Sequence, residues 1–197
     1  KKVLEQCARM CIKLGLIEGN TLFVDGSKIR ANAAIKNTWT DKKCGEALKN
    51  IDNRIEEILK ECDETDVREH DMPGLVKMNK DLSDSMVLKE KVLDILKELK
   101  NENNVQLKKQ RNTTDPECAT MNSPRGTFAG YNAQVVVDEK NALIVNVDAV
   151  RDNTDLNQLS SQTDQAGRIL GKPCKTVCAD SGYSSTEDLI KIDKKEI

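Results

Sequence analysis

An α/β fold, a mixed sheet interrupted by a long helical hairpin, is what this sequence predicts, and three observations carry the prediction. Two apolar runs, Leu22-Phe23-Val24 and Val177-Cys178-Ala179, each end in an aspartate with a glycine close behind, in TLFVDGSKIRANA and KTVCADSGYSS. Between them, residues 42–111 carry apolar side chains at alternating three- and four-residue steps, the seam of a coiled coil. Then come two β-rich runs, a helix, the second aspartate strand and a last helix, a meander followed by a crossover connection.

The elements follow in order. Val3, Leu4, Cys7, Met10, Cys11, Leu14 and Leu16 recur at helical spacing and predict a helix over 2–16, ended by Gly19-Asn20. Leu22 to Val24 suit a strand covered on both faces, closed by Asp25, with Ile29 and Ala31 extending it or beginning another. Leu48, Ile51, Ile55, Ile58 and Cys62 form one seam, and Leu88, Val92, Ile95 and Leu99 a second beyond a break at Met72-Pro73-Gly74. Such a pair predicts an antiparallel hairpin, a solvated insertion in the first instance and a partner-binding arm in the alternative. The Pro, Gly, Asn and Thr content of 112–130 predicts a loop. Runs 131–137 and 142–150 read as a β-hairpin joined through Asp138 to Asn141. A helix capped by Thr154 carries Leu156, Leu159, Ala166, Ile169 and Leu170 and stops at Gly171; Ser184 with Glu187 signals a capping box for the last helix. The domain division expected is 1–41 with 112–197 as the sheet core and 42–111 as the inserted hairpin.

Composition narrows the function. Lys and Arg number 31 against 33 Asp and Glu, so net charge carries no nucleic-acid signature and a DNA-binding face must come from local clustering. No run approaches the ~18 apolar residues of a membrane helix. With no leader segment at its start, the chain is expected to be a fragment of a soluble, cytoplasmic protein. Seven scattered cysteines suit reduced thiols. Cys7 and Cys11 share a helix face, but small core residues are the better reading than zinc ligands. A single histidine, His70, excludes a serine triad or a His-rich metal site.

Asp25 and Asp180 are the candidate site. In open α/β sheets, ligands gather beyond the carboxyl ends of strands, where both are expected. Two neighbouring carboxylates repel, and a cation relieves the cost. Hard oxygen ligands suit Mg²⁺ or Mn²⁺, the metals of phosphodiester chemistry. The competing reading is that Asp-Gly and Asp-Ser-Gly are turn strings. Asp138, Asp148, Asp152 and Asp155 fall in turn or cap settings and rank lower.

VDGSKIRANA, TDPECATM, GYNAQVVVDE and ADSGYSS stand here in the order and context seen in DDE-type transposases of bacterial insertion sequences. The chain resembles that family from about Leu14 to its end. The resemblance implies a ribonuclease H-like catalytic domain interrupted by an insertion, with Asp25 and Asp180 as catalytic carboxylates and metal ligands for Mg²⁺ or Mn²⁺. It implies metal-dependent phosphodiester hydrolysis and strand transfer at transposon ends (DNA transposition). The partners implied are transposon-end DNA and a second copy in a synaptic homodimer, with nucleoid association when DNA is bound. The family's third carboxylate, a glutamate on a downstream helix, has no counterpart here, and Glu187 and Glu196 are not promoted to that role. A truncated, inactive chain is therefore expected. Two other classes compete: a non-catalytic interaction or remnant domain built on the hairpin, and a Mg²⁺-dependent phosphoryl-transfer domain. Phosphatases of that last kind want an aspartate two residues after the first, where this chain has Ser27.

Overall fold

The computed structural model describes residues 1–66, 72–101, 110–194 and 197. In chain order the elements are α1 (Lys2–Lys13), β1 (Thr21–Arg30), a 3₁₀ turn (Ile35–Asn37), β2 (Thr38–Thr40), α2 (Asp41–Asp66), α3 (Met72–Asn101), β3 (Gln110–Asn112), β4 (Ala119–Ser123), β5 (Gly126–Asp138), β6 (Ile144–Val150), α4 (Leu159–Leu170), β7 (Thr176–Ala179), a second 3₁₀ turn (Ser181–Tyr183) and α5 (Thr186–Asp193). They form two compact units, residues 1–35 with 117–197, and residues 36–116. The fold is mixed α/β, with parallel and antiparallel pairs in one sheet.

In the first unit β5 is the central strand. β1 lies antiparallel along one of its edges, while β4 and β6 pair with it antiparallel in succession, β4 against Gly126 to Gly130 and β6 against Asn132 to Val137. β7 adds to the outer edge of β1 in parallel, with Val24 opposite Ala179. Alternation sends Leu22 and Val24 of β1 to one face, where they meet Val136 and Val145 of the sheet, Ala8 of α1, Leu159, Ala166 and Ile169 of α4, and Ile192 of α5. Burial of this apolar cluster is the main force holding the helices on the sheet.

Several expectations need correction. Asp25 does not close its strand, because β1 runs on to Arg30 through ladder bonds with β5 as far as Gly130. β1 is not covered on both faces either: Phe23 is 45% exposed, on the face opposite the core. The stretch 112–130 is no simple loop, since it holds β4 and the start of β5. A tight turn at Gly126, with φ of +110°, joins them. Turn composition there marked the hairpin corner and masked the strands beside it. α1 stops at Lys13, where Gly15 turns the chain with φ of +71° and leaves Leu14 exposed.

Thr154 caps nothing: α4 begins at Leu159, and Leu156 is exposed rather than on the buried stripe. Segment 154–155 is tied to β5 instead, the Asn132 side-chain amide donating to the Thr154 carbonyl and the Asp155 carboxylate. α5 starts one residue later than expected. Ser184 N–H closes the 3₁₀ turn on the Ser181 carbonyl, and Ser185 Oγ accepts from Asp188 N–H at 3.1 Å as the true N-cap.

In the second unit β2 and β3 pair antiparallel, Thr38 opposite Asn112, so that the two chain segments leading into and out of the helices run side by side. Cys44 and Ile51 of α2 pack with Val92 and Leu99 of α3, flanked by Leu48, Ile55, Ile95 and Leu96. Val92, Ile95 and Leu99 of α3 take their expected places on this seam, joined by Leu96, while Leu88 is exposed instead of extending it. Lys89 pairs with Asp52 of α2 at 2.7 Å. Met72, Pro73 and Gly74 open α3 instead of preceding it, in keeping with the preference for proline in a first helical turn. His70, Glu196 and the side chain of Cys62 lie outside the described residues. None of the six described cysteines is in a disulfide.

Candidate metal and catalytic site

Asp25 and Asp180 come together at the place where β7 stops. Val24 pairs with Ala179 in parallel register as the last pair of the β1–β7 ladder, so the residues that follow it in the two segments, Asp25 and Asp180, leave that pair side by side. Alternation puts Asp25 on the same face as Phe23, the uncovered one, and the extended backbone of Asp180 (φ −73°, ψ 173°) continues β7's alternation past Cys178. Both side chains are exposed. The site is thus a notch beside a continuing strand rather than a shared strand end.

Each aspartate is held by one local bond. Gly26 N–H donates to Asp25 Oδ1 at 2.8 Å, and Gly182 N–H donates to Asp180 Oδ1 at 2.8 Å. The second bond ends β7, since it bends Ser181 to Tyr183 into the 3₁₀ turn that Asp180 caps. A Cβ at position 182 would lie 2.9 Å from Asp180 Oδ1, so a glycine there lets the carboxylate fold back over the turn. At position 26 the reason is different. A Cβ there, on the core face, would stand 2.3 Å from Asp155 Oδ1 and 2.6 Å from Gln134 Nε2. The glycine after the first aspartate makes room for a second layer of polar groups beneath the site.

That layer escaped sequence reasoning. Tyr183, swung inward by the 3₁₀ turn and buried, donates its hydroxyl to Gln134 Oε1. Gln134 Nε2 donates to Asp155 Oδ1 at 2.7 Å and to Asn132 Oδ1 at 3.1 Å, and Asn132 Nδ2 donates to Asp155 Oδ1 at 2.8 Å. Burial, then the negative charges of Asp155 and Asp25 and more weakly Asp180, push the Tyr183 hydroxyl well above its ordinary pKa of 10.0. One hydroxyl therefore feels all three carboxylates. The signal was present in YNAQVVVD: two amides alternate with apolar residues on a strand, which places both on one face.

No basic side chain neutralises the pair. Among the described residues neither Asp25 nor Asp180 has an ion-pair partner, and the cations of β1 are engaged elsewhere. Lys28 Nζ donates to the Asn122 carbonyl at 2.7 Å, and the Arg30 guanidinium lies 4.5 Å from the centre of the Phe128 ring. One oxygen of each aspartate is left for water or a ligand. Two exposed carboxylates side by side fit a hard divalent cation that keeps most of its waters. Among the described residues no group of three or more His, Cys, Asp or Glu side chains is close enough to hold a metal.

A family model described as Transposase DDE domain matches residues 65–197. The chain belongs to this transposase family. The matched span contains Asp180 and every member of the polar layer beneath it, while Asp25 lies before it. No curated protein and no solved structure matches the chain. Membership connects the chain with DNA transposition in general terms. No helix among the described residues is long and apolar enough to cross a membrane.

Proposed function

We propose that this chain carries two carboxylates of a DDE transposase site, Asp25 and Asp180, on a ribonuclease H-like core formed by residues 1–41 and 112–197. The observation that supports the reading is the parallel register of β1 and β7 up to Val24 and Ala179, just before the two aspartates, each with an unspent oxygen and, among the described residues, no ion-pair partner. A bound Mg²⁺ or Mn²⁺ would activate a water and stabilise the leaving oxygen in phosphodiester hydrolysis and strand transfer at transposon ends. The chain's own part is to present one oxygen from each aspartate at a fixed separation and to hold the rest of each carboxylate by the following amides. Transposon-end DNA is the proposed substrate and a synaptic homodimer the proposed assembly. With only two carboxylates at the site, the chain by itself is expected to bind the cation without cleaving DNA.

Titration of Mn²⁺ into the wild-type chain and Asp180→Asn tests this. Weaker binding by the variant supports the shared site, and equal affinities refute it. Residues 42–111 are proposed as an antiparallel hairpin inserted into the core, supported by the side-by-side segments of β2 and β3. Replacing 42–111 by a short flexible linker should preserve cooperative unfolding of the remainder; its loss would make the helices integral to the core.

A further inference from the structure

We propose that Asp155, with Asn132, Gln134 and Tyr183, is a positioning group for the Asp25–Asp180 pair. In this arrangement the Asp155 carboxylate fixes β1 at Gly26 and adds its charge to the field that a divalent cation meets. The inference rests on the metal-site reading above. Asp155 sits against the residue that follows Asp25 so closely that no side chain fits between them. Its Oδ1 takes both amide donors, from Asn132 and Gln134, and Gln134 is in turn fixed by Tyr183, the residue that anchors the turn carrying Asp180. One connected set of hydrogen bonds thus runs from Asp155, which lies against Gly26, to Tyr183 in the turn that Asp180 caps.

Asp155 is not itself a third ligand, since it forms no metal-holding group with the other two. Nor do its two hydrogen bonds require a charge, because a neutral carbonyl oxygen also has two lone pairs for the two amides, though it accepts less strongly than a carboxylate. The negative charge is unpaired by any Lys or Arg among the described residues, and its second oxygen is not among the sealed, partnerless atoms. On the far side of a glycine from the proposed cation, this carboxylate is placed to act through its charge. Groups behind metal ligands that orient them and tune their charge have large effects on affinity.

The test uses the whole chain and Mn²⁺ as the probe, with the free ion followed by electron paramagnetic resonance. Asp155→Asn keeps the shape and one acceptor oxygen for the two amides; it removes the charge and turns the second oxygen into an amide donor. The expected result is a melting curve like that of wild type with a Mn²⁺ dissociation constant raised by about tenfold. Asp25→Asn, measured alongside, should weaken binding further. Unchanged affinity in Asp155→Asn, with weakened binding in Asp25→Asn, overturns the positioning role and leaves the metal site standing. Unchanged affinity in both removes the metal site and this inference with it. If Asp155→Asn does not fold, Tyr183→Phe decides. It releases the Gln134 carbonyl oxygen while keeping the ring, and should raise the dissociation constant by about threefold, below the ~10–100-fold range of direct outer-shell partners because it acts one bond further away; no change refutes the network.

Discussion

Asp138 and Asp25 belong to paired strands of one sheet, only a few residues apart in register, yet they have opposite fates. Asp138, at the end of β5 and opposite Leu22, is 1% exposed and fully engaged. Gly19 N–H donates to its Oδ1 at 2.7 Å, and Glu18 and Lys140 N–H donate to its Oδ2 at 3.3 and 3.2 Å. Asp25 is exposed and accepts only from the amide that follows it. A buried carboxylate with three amide donors organises loops; an exposed one with an oxygen to spare is available for a ligand. The number of unspent oxygens, more than position in the strand, separates the structural aspartate from the functional one.

The contrast can be broken from either side. Asp138→Ala should have the largest effect on stability, costing about 3 kcal/mol in chemical denaturation because three amides, one buried and two part-buried, lose a charged acceptor. Gly26→Ala should come next, at about 1–3 kcal/mol, because the added methyl meets groups that are hydrogen-bonded to each other and cannot simply swing aside. Tyr183→Phe should cost about 1 kcal/mol, the worth of one buried hydrogen bond. Its pH signature is more specific. The folded hydroxyl holds its proton above the ordinary pKa of 10.0, so its contribution is complete below that pH and is lost as pH rises toward the folded value. The phenylalanine variant should lack this alkaline loss, which urea melts at pH 9 and above would detect. Asp25→Ala should leave the melting temperature unmoved, since it removes one exposed carboxylate with one local bond.

Much of the fold was legible because its signals are periodic. The helical seams of residues 42–99, the alternation of β5 and β6, and the paired apolar runs before Asp25 and Asp180 depend on local spacing. The errors arose where long-range contacts decide. Nothing within Thr154 to Leu159 tells that Asn132 and Gln134, on another strand, will hold that segment and delay α4. β4 was hidden because its short alternation, with Ala119 and Met121 buried between polar residues, is embedded in turn-forming composition, and its pairing with β5 is what makes it a strand. The polar layer under the site is likewise a tertiary product, though the Asn-Ala-Gln alternation on an otherwise apolar strand advertised a buried partner. The glycine after Asp25 was legible as a special position, and its cause, the approach of Asp155, was not.

The central claim is that Asp25 and Asp180 hold one divalent cation between them. Crystals of the chain grown with Mn²⁺, with anomalous data collected at the manganese edge, test it most directly. The account predicts one manganese peak contacting an oxygen of Asp25 and an oxygen of Asp180 at roughly 2.0–2.4 Å, the remaining positions filled by water. No peak there at saturating Mn²⁺, or a peak held by one aspartate with the other turned away, would contradict it.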